Sequence, residues 1–312
     1  MTSSNSNNNP INENASSPHA ELNKGIVYAL IGTALFSIKP VFIKLAYQYS
    51  GDAVSIMSLR AISSVPIYII MMLWLLRKTE HRDNLKQYGL AASAIGVLGY
   101  YVASYLDIAA MAHISAQLER LLIFLFPSFV VLISWTVLKQ KPAQGTFKAI
   151  ALGYIGVAFI VFHDLGSMGN NVLIGSGLAI ASAFVFACYL IMSKKLITKM
   201  GSQLFTCIGM GSAGIIILIQ SQWQGVNVIV LDPMLILLGI SLGIFCTVLP
   251  SFFVAAAMQK LNPSQLSLTS NVGPAITAVF AITLLNEPFT FYHAIGMLFV
   301  VYSVISMKKR GQ

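Results

Sequence analysis

Residues 36–44 read FSIKPVFIK, and residues 186–194 read FACYLIMSK. Both stretches open on Phe, close on Lys and are mostly apolar between. Later landmarks keep nearly the same offset. Ala110-Met111, Ala116-Gln117-Leu118 and Pro127 are answered by Ala257-Met258, Ser264-Gln265-Leu266 and Pro274. Lys141-Pro142 is answered by Glu287-Pro288. Landmarks that hold register over half a chain indicate an internal duplication.

Outward from these stretches, each copy divides into apolar segments of the length a bilayer requires, about 20 residues. They fall at 24–47, 53–76, 87–107, 113–138 and 146–162, then at 172–194, 202–221, 233–257, 263–286 and 290–307. Five crossings per copy is an odd number, so the second copy must run upside down relative to the first. The expected fold is an all-α integral membrane protein: ten transmembrane helices as two inverted five-helix repeats, 23–162 and 172–308, joined by a periplasmic linker at 163–171. Inverted repeats place a substrate site at their interface, near the membrane midplane.

The composition agrees. The chain is 56% hydrophobic and 9% charged, whereas soluble domains carry roughly 25% charged residues. The net charge of +9 does not imply nucleic acid, because the charges are sorted. With the N-terminus in the cytoplasm, the cytoplasmic segments hold Lys24, Arg77, Lys78, Arg82, Lys86, Lys139, Lys141, Lys148, Lys194, Lys195, Lys199, Lys260, Lys308, Lys309 and Arg310. The opposite loops carry no Lys or Arg, and are assigned Asp52, Asp107, Asp164, Asp232 and Glu287. This bias predicts both termini in the cytoplasm, in a bacterial inner membrane. Residues 1–22, rich in Ser and Asn, read as a disordered cytoplasmic tail. They lack the basic start and apolar middle of a signal peptide.

The remaining basic residues, Lys39, Lys44, Arg60 and Arg120, lie within helices, as does Glu119. A charge there costs about 2.5–3.5 kcal/mol on insertion scales and faces a cavity or a partner. At 1.5 Å per residue, Lys39 lies about 22 Å along its helix from the cytoplasmic end, Arg60 about 12 Å from the outer end, and Glu119 and Arg120 about 10 Å from it. All four share the outer half of the membrane, with a surplus of two positive charges. Glu119 and Arg120 point about 100° apart, so at most one faces the cavity squarely. Lys44 lies near the outer interface and reads as an anchor. Lys39 precedes Pro40, which frees a backbone carbonyl and bends the helix. Tyr101, Tyr189 and Asn271 are the neutral candidates for substrate contact, and Pro40, Pro127 and Pro274 the candidate kinks. His113 and His163 read as isolated histidines at helix ends. Cys188, Cys207 and Cys246 form no metal-binding spacing. Neither a phosphate loop nor a catalytic triad is visible, so no cofactor and no enzymatic activity are expected. Glu119 is the one carboxylate available to carry a coupling proton.

In this order, the Phe-Ser…Lys44 pattern, Arg60, Pro127, Pro274 and Asn286-Glu287-Pro288 resemble the drug/metabolite transporter superfamily, in its EamA-type branch. The resemblance covers about residues 24–308. It implies ten helices, cytoplasmic termini, and export of amino acids, related metabolites or drugs through a central cavity. One departure is Lys141-Pro142, where the family often has a Glu-Pro-like or Glu-Arg-like pair. Uptake or exchange of an anionic or nucleotide-like metabolite is the alternative, and a membrane-embedded enzyme the alternative of another class.

Overall fold

The computed structural model describes residues 18–49, 51–142, 145–262, 265–266 and 269–309. Its helices are α1 Pro18–Gln48, α2 Ala53–Leu75, α3 Thr79–Met111, α4 Ala116–Thr136, α5 Thr146–Met168, α6 Asn171–Met200, α7 Ser202–Trp223, α8 Pro233–Lys260, α9 Gly273–Leu285 and α10 Phe291–Lys309. Among the described residues, the first eight are long and apolar enough to span a membrane, and α9 and the start of α10 are shorter apolar helices. The protein is a multi-pass membrane protein.

The tail expected over 1–22 lies outside the described residues as far as Ser17, and from Pro18 the chain is helical. Helix α3 begins at Thr79 and not near 87, because about two polar turns precede the apolar run. The link expected over 163–171 narrows to Gly169 and Asn170. Gly169 makes the turn at φ +72°, a backbone region that glycine enters without a Cβ clash.

The prolines behave differently from one another. Helix α1 continues through Pro40. Helix α4 is interrupted at Phe124 and Leu125, and Pro127 stands in the first turn of its second part. Pro274 stands likewise in the first turn of α9. In a first turn the missing N–H has no partner to lose. Pro127 and Pro274 therefore each follow a local break in the helical path, in the first turn of the piece that comes after it.

The acids expected in the outer loops have structural roles. Asp52 Oδ1 accepts from Val54 N (2.8 Å) and Ser55 N (2.9 Å) at the start of α2. Asp232 Oδ1 accepts from Met234 N (2.7 Å) at the start of α8. Glu287, just past α9, reaches α4 and accepts from Ala116 N (2.8 Å) and Gln117 N (3.3 Å). Carboxylates at helix N-termini satisfy orphan amides and complement the dipole. Asp164 lies inside α5 and is buried. Asp107 lies inside α3, 4% exposed, and is not a loop residue at all.

The main helix contacts join the first half, α1–α5, to the second, α6–α10. Helix α1 packs on α8 and α9, α6 packs on α3 and α4, α2 on α7, and α5 on α10. Local irregularities recur at matching places. α3 contains a π-helical segment at Val97–Val102, and α8 one at Ile244–Val248. Lys139 and Asn286, just past α4 and α9, are both left-handed, at φ 55° and 52°. A Cβ on Gly96 would lie 2.1 Å from the Gly209 Cα, and one on Gly243 1.8 Å from Ser63 Oγ. The α3–α7 and α8–α2 crossings therefore depend on absent side chains. Lys44 Nζ donates to the Met111 carbonyl (3.0 Å), tying α1 to the end of α3. Lys194 Nζ donates to the Met258 carbonyl and to that of Leu261 (2.7 Å), tying α6 to the end of α8.

Candidate functional site

Most residues in the middle of the bundle are apolar, and a few polar side chains there converge. Helix α1 brings Lys39, whose Nζ lies 2.5 Å from Asp107 Oδ2 on α3. Burial of the two side chains (17% and 5% exposed) makes this an ion pair with little access to water. The first part of α4 brings Glu119 and Arg120. Glu119 is 2% exposed, and its carboxyl is in side-chain contact with that of Asp107. Arg120 lies on the other side, where Nη2 donates to Ser37 Oγ (3.0 Å) and the guanidinium sits 5.9 Å from the Phe124 ring centroid. It crosses the start of α9 at Gly273, where a Cβ would fall 2.6 Å from Nη2. Any larger residue there would displace the guanidinium.

Around Arg120 a hydroxyl chain links α1 to the second half. Ser37 Oγ donates to the Thr33 carbonyl (2.6 Å), Thr33 Oγ1 to Ser270 Oγ (3.0 Å), and Thr277 Oγ1 to the Ser37 carbonyl (2.7 Å). Pro40 supplies no N–H to the turn of α1 beside this chain.

These groups border a cavity of about 140 Å³. Lys39, Asp107, Glu119 and Arg120 are its charged lining; Phe36, Phe124 and Phe186 are among its apolar walls. The volume is below the ~300 Å³ typical of pockets for drug-sized ligands. The π-helical segment of α3 puts Gly99 and Tyr100 on the wall.

The site departs from the sequence reading at several points. Glu119 and Arg120 both reach the cavity, because it wraps around the short first part of α4. Tyr100 takes the position expected for Tyr101, which packs instead among residues such as Ile43 and Met57. Tyr189 lies behind the wall, against Gly99, and its hydroxyl is 2.8 Å from that of Tyr100. Arg60 is buried on α2 and does not line the cavity. Among the described residues it forms no ion pair, and the charge of Asp107 acts on it. The side chain of Asn271 lies outside the described residues. His163 is not isolated: Asp164 and His293 are beside it.

Asp107 changes the charge balance. The expected surplus of two cations becomes two cations and two carboxyl groups on the cavity wall, with Arg60 behind. The sequence held one signal for this placement. The apolar run continues past Asp107 through Ile108, Ala109, Ala110 and Met111, which is too long for a helix ending at 107.

Comparison with known proteins agrees with this architecture. The model of the EamA-like transporter family matches residues 23–162 and again 173–307. An uncharacterised transporter, YcbK of Bacillus subtilis, is 24% identical over 92% of this chain and 93% of its own. Protein RarD of Escherichia coli is 25% identical over 85% of this chain and 86% of its own. A solved crystal structure aligns with a TM-score of 0.65 at 13% identity, covering 94% of this chain and 97% of the other, a likeness of fold. With both halves matched by one family model, the chain belongs to the EamA-like transporter family, within the drug/metabolite transporter superfamily, and is a membrane transporter.

Proposed function

We propose that this transporter is a secondary exporter of small polar metabolites, of the amino-acid type, working by alternating access across a bacterial inner membrane. The reading includes ten crossings in two inverted repeats, 23–162 and 172–308, with both termini in the cytoplasm. Recurrence of the π-helical segments, the left-handed residues past α4 and α9, and the lysine ties of α1 and α6 supports the repeat. Sorting of the basic residues supports the orientation.

The observation that carries the substrate class is the cavity wall. Two cations and two carboxyl groups face a small, otherwise largely apolar space. A zwitterion can answer both signs: its carboxylate toward Arg120, its ammonium toward Asp107 and Glu119. The touching carboxyl groups also offer a place for a coupling proton. No covalent chemistry is assigned to the site; its residues bind and release.

Counterflow in liposomes tests this. Purified protein in vesicles preloaded with a mixture of amino acids should accumulate a labelled one from outside, and Lys39→Met or Arg120→Gln should reduce the uptake at least tenfold. Equal counterflow for wild type and both variants would refute the site. Metabolite profiling of deletion and overexpression strains then identifies the exported compound.

A further inference from the structure

A second cluster of ligating groups lies at the far end of α5, sharing no residue with the cavity. His163 and Asp164 are adjacent on α5, and His293 stands near the start of α10. Asp164 Oδ1 is 3.0 Å from His163 Nδ1 and 3.6 Å from His293 Nε2. All three ligand atoms lie within 4.8 Å of one another. The Asp164 and His293 side chains are each 5% exposed, and that of His163 is 27% exposed.

The spacing fits a metal ion. Tetrahedral zinc holds nitrogen and oxygen ligands at about 2.0–2.2 Å, so neighbouring ligand atoms stand about 3.4 Å apart. The two observed edges bracket that figure. The 3.6 Å edge is also too long for a good hydrogen bond between Nε2 and the carboxylate. An ion between them would coordinate both atoms.

The surroundings orient the ligands. The other ring nitrogen of His293, Nδ1, lies 2.8 Å from Thr290 Oγ1. If Nδ1–H donates to that hydroxyl, Nε2 keeps its lone pair directed at the cluster. Metal-binding histidines are commonly held by such an outer hydrogen bond. The His163 ring stacks on Tyr292 with centroids 4.4 Å apart, which restrains its rotation. Partial exposure of His163 gives an entry path, and its own Nε2 is not needed as a ligand.

We infer that His163 Nδ1, Asp164 Oδ1 and His293 Nε2 form a binding site for a divalent transition metal of the zinc type. Two imidazoles and a carboxylate suit zinc better than calcium or magnesium, which prefer all-oxygen ligands. The fourth position is left to water. The ion would join α5 to α10, which also pack against each other, and the site is a clamp and not a transport pathway. The inference is independent of the proposed substrate.

The test uses untagged full-length protein in detergent, stripped with chelator and dialysed against zinc. Elemental analysis should find about one zinc per chain, with thermal unfolding moving upward as zinc is added. His163→Gln and His293→Gln each remove a direct ligand and should weaken zinc binding by more than the roughly 10–100-fold that loss of an outer hydrogen-bond partner costs. His113→Gln, which changes a histidine outside the cluster, should leave it unchanged. If His293→Gln fails to fold, the part-exposed His163→Gln carries the test. Substoichiometric zinc on the wild type, or equal zinc on wild type and His163→Gln, would overturn the site. So would a melting temperature that responds to pH but not to zinc.

Discussion

Asp107 reorganises the charge pattern of the cavity from one position. Its carboxylate pairs with Lys39, touches Glu119 and acts on both Arg60 and Arg120. Removing one member of a buried ion pair strands the other, at a cost of about 3–5 kcal/mol, whereas replacing both by apolar groups is often neutral. Asp107→Leu alone should therefore lower the melting temperature strongly, and adding Lys39→Met should recover much of the loss. Additive losses in thermal unfolding would show that the two side chains do not form one unit. Glu119→Gln keeps the size of the side chain and removes its charge. It should abolish uptake driven by a pH gradient while leaving exchange between equal pools measurable; gradient-driven uptake at the wild-type rate would rule out a proton on Glu119. At this scale the sequence was partly legible. Lys39, Glu119 and Arg120 announced themselves as charges inside apolar runs. Asp107 did not, because an acid near a helix end also fits a loop. The sequence reading chooses Tyr101 where the structure has Tyr100 on the wall, since a π-helical turn changes which of two neighbours faces inward.

Single helix ends carry much of the bundle's organisation. Glu287 caps α4 from the other half of the chain, a contact between residues 171 apart that no local capping pattern reveals. Its counterpart by position, Lys141, has no carboxylate to offer. The corresponding turn after α8 is closed locally instead, where Asn262 N donates to Gln265 Oε1 (3.0 Å) and Gln265 N to Asn262 Oδ1 (2.7 Å). Glu287→Ala should cost about 1 kcal/mol of stability, as the loss of an N-terminal cap does, read as a lower melting temperature. Lys139 has a left-handed backbone at φ 55°, which glycine adopts without strain. Lys139→Gly should thus raise the melting temperature slightly, by less than about 1 kcal/mol of stability. Gly96→Ala should do the opposite, because its Cβ would lie 2.1 Å from the Gly209 Cα. Overpacking of that kind costs about 1–3 kcal/mol. Gly177→Ala, with nothing within 4 Å of its Cβ, is the matched control. Helix existence was readable from apolar length. Helix ends were not, because polar first turns extend α3 and a proline restarts α4.

The halves of the whole molecule depend on each other. The most extensive packing runs between them: α1 on α8 and α9, α6 on α3 and α4, α2 on α7, α5 on α10. The duplication itself was legible from Lys, Pro and Gln-Leu landmarks, and the membrane character from composition. The pairing of helices was not, because apolar stripes facing lipid and apolar stripes facing protein look alike. Reporter fusions at residues 143 and 197 should report the cytoplasm, and fusions at 169 and 226 the opposite side; finding 226 inside would remove the proposed orientation. The two-residue turn at Gly169 and Asn170 is the sole covalent bridge between the halves. Each half packs its helices mainly against the other. Cut at that turn and made as two polypeptides, the protein should reassemble in the bilayer from its fragments, and neither fragment made alone should escape degradation.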